Sequence, residues 1–328
     1  MTVVPPSPEP PALKTSLLRT ALMQPQGCFG RVEVVGATGS TNADLAANAA
    51  APGEHWPDLS VLIADAQEAG QGRMGRSWEV PAGAAMISSV FLRPGEQSLQ
   101  SGGSPDFAAP ATAAPAIAAP AFAATGYGWL SVLAGLALCG AVRTCTGVPA
   151  ELKWPNDVVV RGRKLAGILA QVVPARSVQG GSSAAPGPGV VVGVGVNVSA
   201  RAHELPGDKA TSLLLEDAAE LDRNVLLPAY LLKFADLYRE FVAVGGDAIR
   251  PLTGGSSVLE LAQASMGTLG QKVRAELPGG AMLYGTATAL ANDGSLLLRD
   301  AAGAVHAVNA GDVIHLRRTG TDGSVNYA

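Results

Sequence analysis

Residues 69–78 read AGQGRMGRSW. Gly70, Gly72 and Gly75 satisfy G-x-G-x-x-G, and Arg73 and Arg76 add two cations that stay charged at any ordinary pH. A dinucleotide-binding turn needs such glycines to open a helix, with an acidic residue about 20 positions further on. Here Pro81 and Gly83 block a helix, and Glu96 follows Pro94-Gly95 instead of ending a strand. No Gly-Lys-Ser/Thr follows, so the stretch is not a P-loop either. What remains is a loop of backbone N–H donors and two guanidiniums. Such a loop either folds over an anionic ligand and cradles it, or is a glycine-rich hairpin with solvated arginines.

Two further stretches weigh toward the ligand. KWPND, 153–157, packs a lysine, an aromatic, a proline turn, an amide and a carboxylate into five residues. Functional groups concentrate on such turns. GVGVN, 193–197, alternates glycines along a strand, which weakens the strand unless something must approach its backbone closely. Asn197 at its end offers a donor and an acceptor, as adenine recognition requires.

The elements that must position these groups follow from periodicity. Val32, Val34 and Val35 form a short strand that ends at Gly36. Thr41 and Asp44 have capping-box spacing, which predicts a helix from about Thr41. LSVLIADAQ and AAMISSVFL are strands, the second apolar enough to be buried on both faces. Residues 129–142, WLSVLAGLALCGAV, are too short to span a bilayer and read as a core helix. Asp222 is placed to cap a helix from about Arg223 to Val242. Short β segments from about Leu269 to Leu316 suggest a small barrel. Strands and helices without strict βαβ alternation predict an α+β fold, its sheet mixed or antiparallel and flanked by helices. Repeated Ala-Pro over 98–125 can hold neither helix nor strand, and 176–189 is rich in Gly, Ser and Pro. Both read as loop insertions, which cost a fold little.

Composition narrows the partners. The chain has 328 residues, 48% hydrophobic and 15% charged, enough for a large core and a small companion domain. A net charge of -4 argues against nucleic-acid binding. Cys28, Cys139 and Cys145 contain no C-x-x-C, and His55, His203, His306 and His315 are scattered, so no zinc spacing is present. Free thiols in a cytoplasmic protein are expected. The N-terminal residues lack a basic start and a long apolar run, so neither a secretory signal nor a membrane anchor is predicted.

STN (40–42), GQGRMGRSW (70–78), KWPND (153–157), RKLAGIL (163–169) and GVGVN (193–197) occur in one order. In that order and spacing the chain resembles the biotin protein ligases over most of residues 31–318. The resemblance implies a class II synthetase-like catalytic domain over 29–265, after a flexible tail at 1–28. A C-terminal SH3-like β-barrel over 266–318 and a tail at 319–328 complete the expected layout. It also implies the activity. Biotin and ATP, with Mg²⁺, give biotinyl-5′-AMP and pyrophosphate, and a lysine of a biotin carboxyl carrier domain then takes the biotin.

Matched motif by motif, the resemblance assigns Lys153, Arg73 and Arg76 to catalysis. It assigns Ser40, Thr41, Gln67 and the backbone of Gln71 to the ureido ring, with Asn42 in the same motif as a ligand group or a brace. Gly72, Arg73 and Lys153 fall to the biotin carboxylate. Gly167, Gly193 and Gly195 are expected to give the ligand room. Arg76, Trp78, Lys153, Asn156 and Asn197 fall to ATP, with Trp78 stacked on adenine, and Asp157 to the metal. Lys164 is read as either structural or close to phosphate.

Two departures matter. Position 71 is Gln where the family carries Arg. The residues before Arg31 are few and Pro-rich, which implies the monofunctional type without the DNA-binding repressor domain that some members have. The rival enzyme is a lipoate–protein ligase, and the rival of another class is a binding module without catalysis.

Overall fold

A computed structural model of the chain describes residues 11–95, 120–174, 187–277, 279–310, 315–319 and 325–327. Its centre is a seven-stranded mixed sheet. The strands are β1 (Arg31–Thr38), β2 (Ser60–Gln67), β5 (Ala85–Leu92), β6 (Glu151–Lys153), β7 (Asp157–Val160), β8 (Arg163–Val173) and β9 (Gly189–Asn197), in the order β1-β2-β5-β9-β8-β7-β6. Only β1 and β2 run parallel; the other pairs are antiparallel. Every residue of β5 is buried, Ser88 and Ser89 included, as its largely apolar run predicts. The middle of β8 and β9, with the end of β2, is left to build a site.

One face is covered by α3 (Leu130–Thr146) packed on α4 (Arg223–Ala243). Asp222 caps α4 by accepting from the Asn224 N–H at 2.8 Å. Gly147, at φ 75°, closes α3 in the left-handed conformation that favours glycine. With the 3₁₀ turn before it, the stretch Ala124–Thr146 is longer than the sequence suggested and apolar enough to pass for a membrane span. Most of it is buried within the protein, as a core helix is. The other face carries α2 (Thr41–Ala50). Its N-cap is Ser40, one residue before the expected start, while Asp44 accepts from the Thr38 hydroxyl instead of closing a capping box.

Two sequence expectations are corrected. The supposed tail 1–28 holds a helix, α1 (Thr15–Leu22), among its described residues. Leu18 and Leu22 are fully buried, and the backbone before them is tied to α4 through Asn224 Oδ1 and Nδ2 and the Arg223 guanidinium. The prolines that suggested a loose chain end at Pro11, where the helical pattern LKTSLLRTAL begins. The supposed tail 319–328 likewise contributes β15 (Val325–Tyr327), which pairs antiparallel with β14 (His315–Thr319).

The C-terminal SH3-like unit is an antiparallel six-stranded sheet, β13-β12-β11-β10-β14-β15, with β10 Lys272–Glu276, β11 Met282–Leu290, β12 Leu296–Arg299 and β13 Val305–Val308. A short helix, α5 (Val258–Ser265), leads into it. A capping box between Ser257 and Glu260 starts α5, a signal present in the sequence as SVLE. Both Gly/Pro-rich insertions fall largely outside the described residues. The end of the first is placed: Pro120 and Phe122 sit against Gly245 and Gly246.

Candidate active site

The end of β2, the middle of β8 and β9, and the start of α2 enclose a cleft of about 790 Å³, open mouth included. The stretch 70–78 closes one side as a small hairpin, β3 (Gly70–Gln71) paired with β4 (Ser77–Trp78), and opens no helix of its own. Met74 sits at its tip at φ 56° and is half exposed. A β-carbon is disfavoured there by about 1–2 kcal/mol, and Gly75 takes the following positive φ without that cost.

The uncharged wall is a hydrogen-bond chain with a fixed polarity. The Thr41 backbone N–H donates to Gln67 Oε1 at 2.8 Å, and the Thr41 hydroxyl donates to the same oxygen at 3.0 Å. An N–H can only donate, so the Gln67 amide is oriented, and its Nε2 is the end left for a ligand acceptor. Behind it, the Ser89 hydroxyl lies 2.7 Å from Thr41 Oγ1 and 2.6 Å from Asn42 Oδ1. Asn42 also donates to the Leu169 carbonyl at 3.0 Å, so its side chain braces α2 against β8. Ser89 was not singled out from sequence; nothing separates it from its neighbour Ser88 except the strand's facing.

The charged wall differs from the sequence expectation. Lys164 lines the cleft, with Nζ 2.7 Å from Asp157 Oδ1 and 5.6 Å from the Trp78 ring centre. Lys153 does not line it. Lys153 is buried behind the wall, with Nζ 3.7 Å from Asp157 Oδ2. β6 and β7 are joined by a tight turn, and in that pairing Lys153 lies directly opposite Asp157, on the inner side of the sheet end. One carboxylate is thus shared by two ammonium groups. Arg73 and Arg76 line the same cleft. Arg73 donates to Asn156 Oδ1 at 3.4 Å and to the Ala310 carbonyl of the C-terminal unit. Burial, and next the neighbouring Arg76, push the Arg73 guanidinium below its usual range, with Asp157 acting the other way. The wall carries excess positive charge and fits an anion.

Three other expectations change. Asn197 is buried, donates to the Thr211 carbonyl at 2.9 Å and does not line the cleft. The glycines line the cleft as expected, but they also make room for the protein's own side chains. A Cβ on Gly193 would overlap Asn42 Oδ1, one on Gly195 would lie 2.8 Å from Trp78 Cε2, and one on Gly167 would lie 3.3 Å from Trp78 Cζ3. Trp78 therefore lies flat on the backbones of β8 and β9, its indole N–H buried without a hydrogen-bond partner among the described residues. Asp157 does not fit a metal ligand as placed, since both its oxygens face lysines. Among the described residues no three His, Cys, Asp or Glu side chains gather to hold an ion. Ser40, Thr41, Gln67, Gln71, Gly72 and Asn156 do line the cleft.

Family models match in two places, the biotin protein ligase C-terminal domain at 268–316 and the biotin/lipoate A/B protein ligase family at 117–186. A biotin–[acetyl-CoA-carboxylase] ligase of Mycobacterium tuberculosis is 38% identical over 94% of this chain and 97% of its own. The chain belongs to the biotin protein ligase family. Among further relatives, a bifunctional ligase/repressor of Bacillus spizizenii is 27% identical over 81% of this chain and 67% of its own. The fold is that of the biotin protein ligase from Aquifex aeolicus solved in complex with biotin and ATP. The two agree with a TM-score of 0.61 at 22% identity, over 89% of this chain and all of that one. In this ligase the glycine-rich hairpin, the KWPND turn and the RKLAGIL strand converge on one cleft.

Proposed function

We propose that this ligase joins biotin to ATP as biotinyl-5′-AMP and then passes the biotin to a lysine of a carboxylase's biotin carboxyl carrier domain. The observation that carries the reading is a single cleft lined by both an oriented uncharged set, Thr41 and Gln67, and a cationic set, Lys164, Arg73 and Arg76. A ureido ring needs fixed donors and acceptors, and Gln67 Nε2 is a donor for its carbonyl, supported by Ser40 and the backbone at Gln71–Gly72. A carboxylate and a triphosphate repel each other, and the cations offset that repulsion where charge builds up.

In the first step a biotin carboxylate oxygen bonds to the α-phosphorus while the bond to the bridging α–β oxygen breaks, releasing pyrophosphate. Lys164 and Arg76 hold the carboxylate and α-phosphate in line, and Arg73 closes the hairpin over them. Trp78 offers its ring to adenine. In the second step the uncharged carrier lysine attacks the acyl carbonyl. A C–N bond forms, the C–O bond to phosphate breaks, the amine loses a proton, and AMP leaves. Magnesium would supply further charge neutralisation at the phosphates, and as a cation that keeps few protein ligands it would not need a dedicated carboxylate cluster. Lys153 supports Asp157 from behind.

Free thiols at Cys28, Cys139 and Cys145 support a cytoplasmic location. The deciding experiment supplies labelled biotin, ATP and a carrier domain, with lipoate as competitor. Biotin-dependent AMP formation that lipoate does not inhibit is expected. Turnover of lipoate in place of biotin, or no biotin-dependent AMP, overturns the reading.

A further inference from the structure

Lys164 reaches the cleft from an irregular point in its strand. Along β7 and β8, Val158 pairs with Ala166 but Val159 pairs with Lys164, so Leu165 is an extra residue. A bulge of this kind re-aims a side chain and leaves the backbone around it in need of support. That support comes from residues 209–211. The Lys164 N–H donates to the Lys209 carbonyl, and the Lys164 carbonyl accepts from the Thr211 N–H, both at 2.8 Å.

What holds 209–211 is a carboxylate with no solvent exposure. Glu216 Oε1 accepts from the Thr211 hydroxyl at 2.7 Å and from Arg163 Nη2 at 2.6 Å, and Oε2 accepts from Arg161 Nη1 at 2.7 Å. Arg161 and Gly162 form the turn between β7 and β8, at φ 50° and 76°. One buried group thus gathers the turn just before Lys164 and the segment that flanks its backbone. The Thr211 carbonyl also receives Asn197, at the end of β9. The carboxylate is buried while both guanidiniums stay partly exposed, so screening and desolvation leave the pairs a poor source of stability. What they supply is a unique geometry. Glu216, Arg161, Arg163 and Thr211 all stand outside the cleft lining.

We propose that Glu216 is a positioning residue for adenylate formation, acting through Lys164 by fixing the backbone on both sides of the bulge. The proposal rests on the reading of the cleft given above. A glutamine at 216 keeps the shape but turns an NH₂ toward one guanidinium, so the gather opens.

The test is a double-mutant cycle on Glu216→Gln and Lys164→Ala, read as the Kd of a non-hydrolysable sulfamate analogue of biotinyl-AMP. Biotin alone and thermal melts are measured alongside. Each single variant is expected to weaken the analogue about tenfold or more. The double variant is expected to match Lys164→Ala within about twofold, since non-additivity marks a shared route. Biotin affinity of Glu216→Gln falls less than affinity for the analogue, because the Thr41–Gln67 wall is untouched and only the carboxylate end of biotin meets Lys164. Losses that multiply, or an unchanged Kd in Glu216→Gln, overturn the proposal. A wild-type protein that does not bind the analogue refutes the reading of the cleft itself. If Glu216→Gln does not fold, Arg163→Ala, at a side chain 41% exposed, carries the same cycle and the same outcomes.

Discussion

Asp157 stands between two lysines with different surroundings, and this separates their tasks. Lys164 faces the cleft; Lys153 is almost wholly buried behind it. Removing a donor aimed at developing charge costs about 10²–10³ in rate. Lys164→Ala is therefore expected to lower biotin-dependent ATP–pyrophosphate exchange by roughly a hundredfold with little change in melting temperature. Lys153→Ala leaves a void behind the wall while Asp157 keeps Lys164, which is expected to cost about 1–3 kcal/mol of stability. Denaturant melts and exchange rates measured on both variants check the split, and equal loss of exchange without destabilisation in Lys153→Ala would contradict it. Cys139, on the buried face of α3, illustrates burial as the dominant effect. Desolvation raises its thiol from 9.0 to about 12, against a smaller lowering by Arg143. The folded state keeps its proton where the unfolded chain loses it. The stabilisation is therefore complete below about pH 8.5 and is lost as pH rises toward 12, at up to about 1.4 kcal/mol per unit. Cys139→Ala is expected to flatten that alkaline slope in denaturant titrations between pH 8.5 and 10.5; an unchanged slope would assign it to other groups.

At the scale of elements, α1 was the least expected. It packs Leu18 and Leu22 at no exposure, and Leu→Ala at such sites costs about 2–5 kcal/mol. Leu22→Ala should lower the unfolding free energy by that amount, and the denaturation midpoint with it, while leaving biotin affinity near wild type, because α1 packs on α4 and β1. Insensitivity of the midpoint would mean that the helix is not docked in solution. The reason α1 was missed is local. Its eight residues carry only a short apolar pattern, next to a Pro-rich run that biased the whole segment toward coil. Long strongly patterned elements were legible: β5 from its largely apolar run, α3 and α4 from their length and caps. Motif residues that share a short stretch were legible as a group, and the hairpin, α2 and the KWPND turn do meet. Which lysine of the two faced the cleft was not, because it depends on the pairing of β6 with β7 and on a one-residue bulge in β8. Nor was the use of the glycines, since only the fold reveals that Asn42 and Trp78 fill the space beside them.

In the whole molecule the C-terminal unit is part of the site's support. Its apolar side chains, Val273, Ala287 and Leu298 among them, belong to the same buried core as α3 and α4. Two indoles cross the junction. Trp129 donates to the Asn292 carbonyl at 2.9 Å and Trp154 to the Gly294 carbonyl at 3.1 Å, while the Trp154 backbone N–H reaches Thr268 Oγ1 at 3.1 Å. Trp154 is the second residue of KWPND, and Asn156 of the same turn accepts from Arg73, whose other arm reaches Ala310. The turn therefore ties the glycine-rich hairpin and the C-terminal sheet into one frame. Trp154→Phe keeps an aromatic ring but leaves the Gly294 carbonyl without its donor, at a cost of about 1–3 kcal/mol. Because that cost falls on the junction, it should appear as faster amide hydrogen exchange in two separated places, residues 291–295 and the hairpin 70–78. Adenylate release should rise in parallel, since the hairpin is then held by fewer fixed partners. Faster exchange confined to 291–295, with the hairpin unaffected, would show that the KWPND turn anchors the C-terminal unit without passing its position on to the loop that closes the cleft.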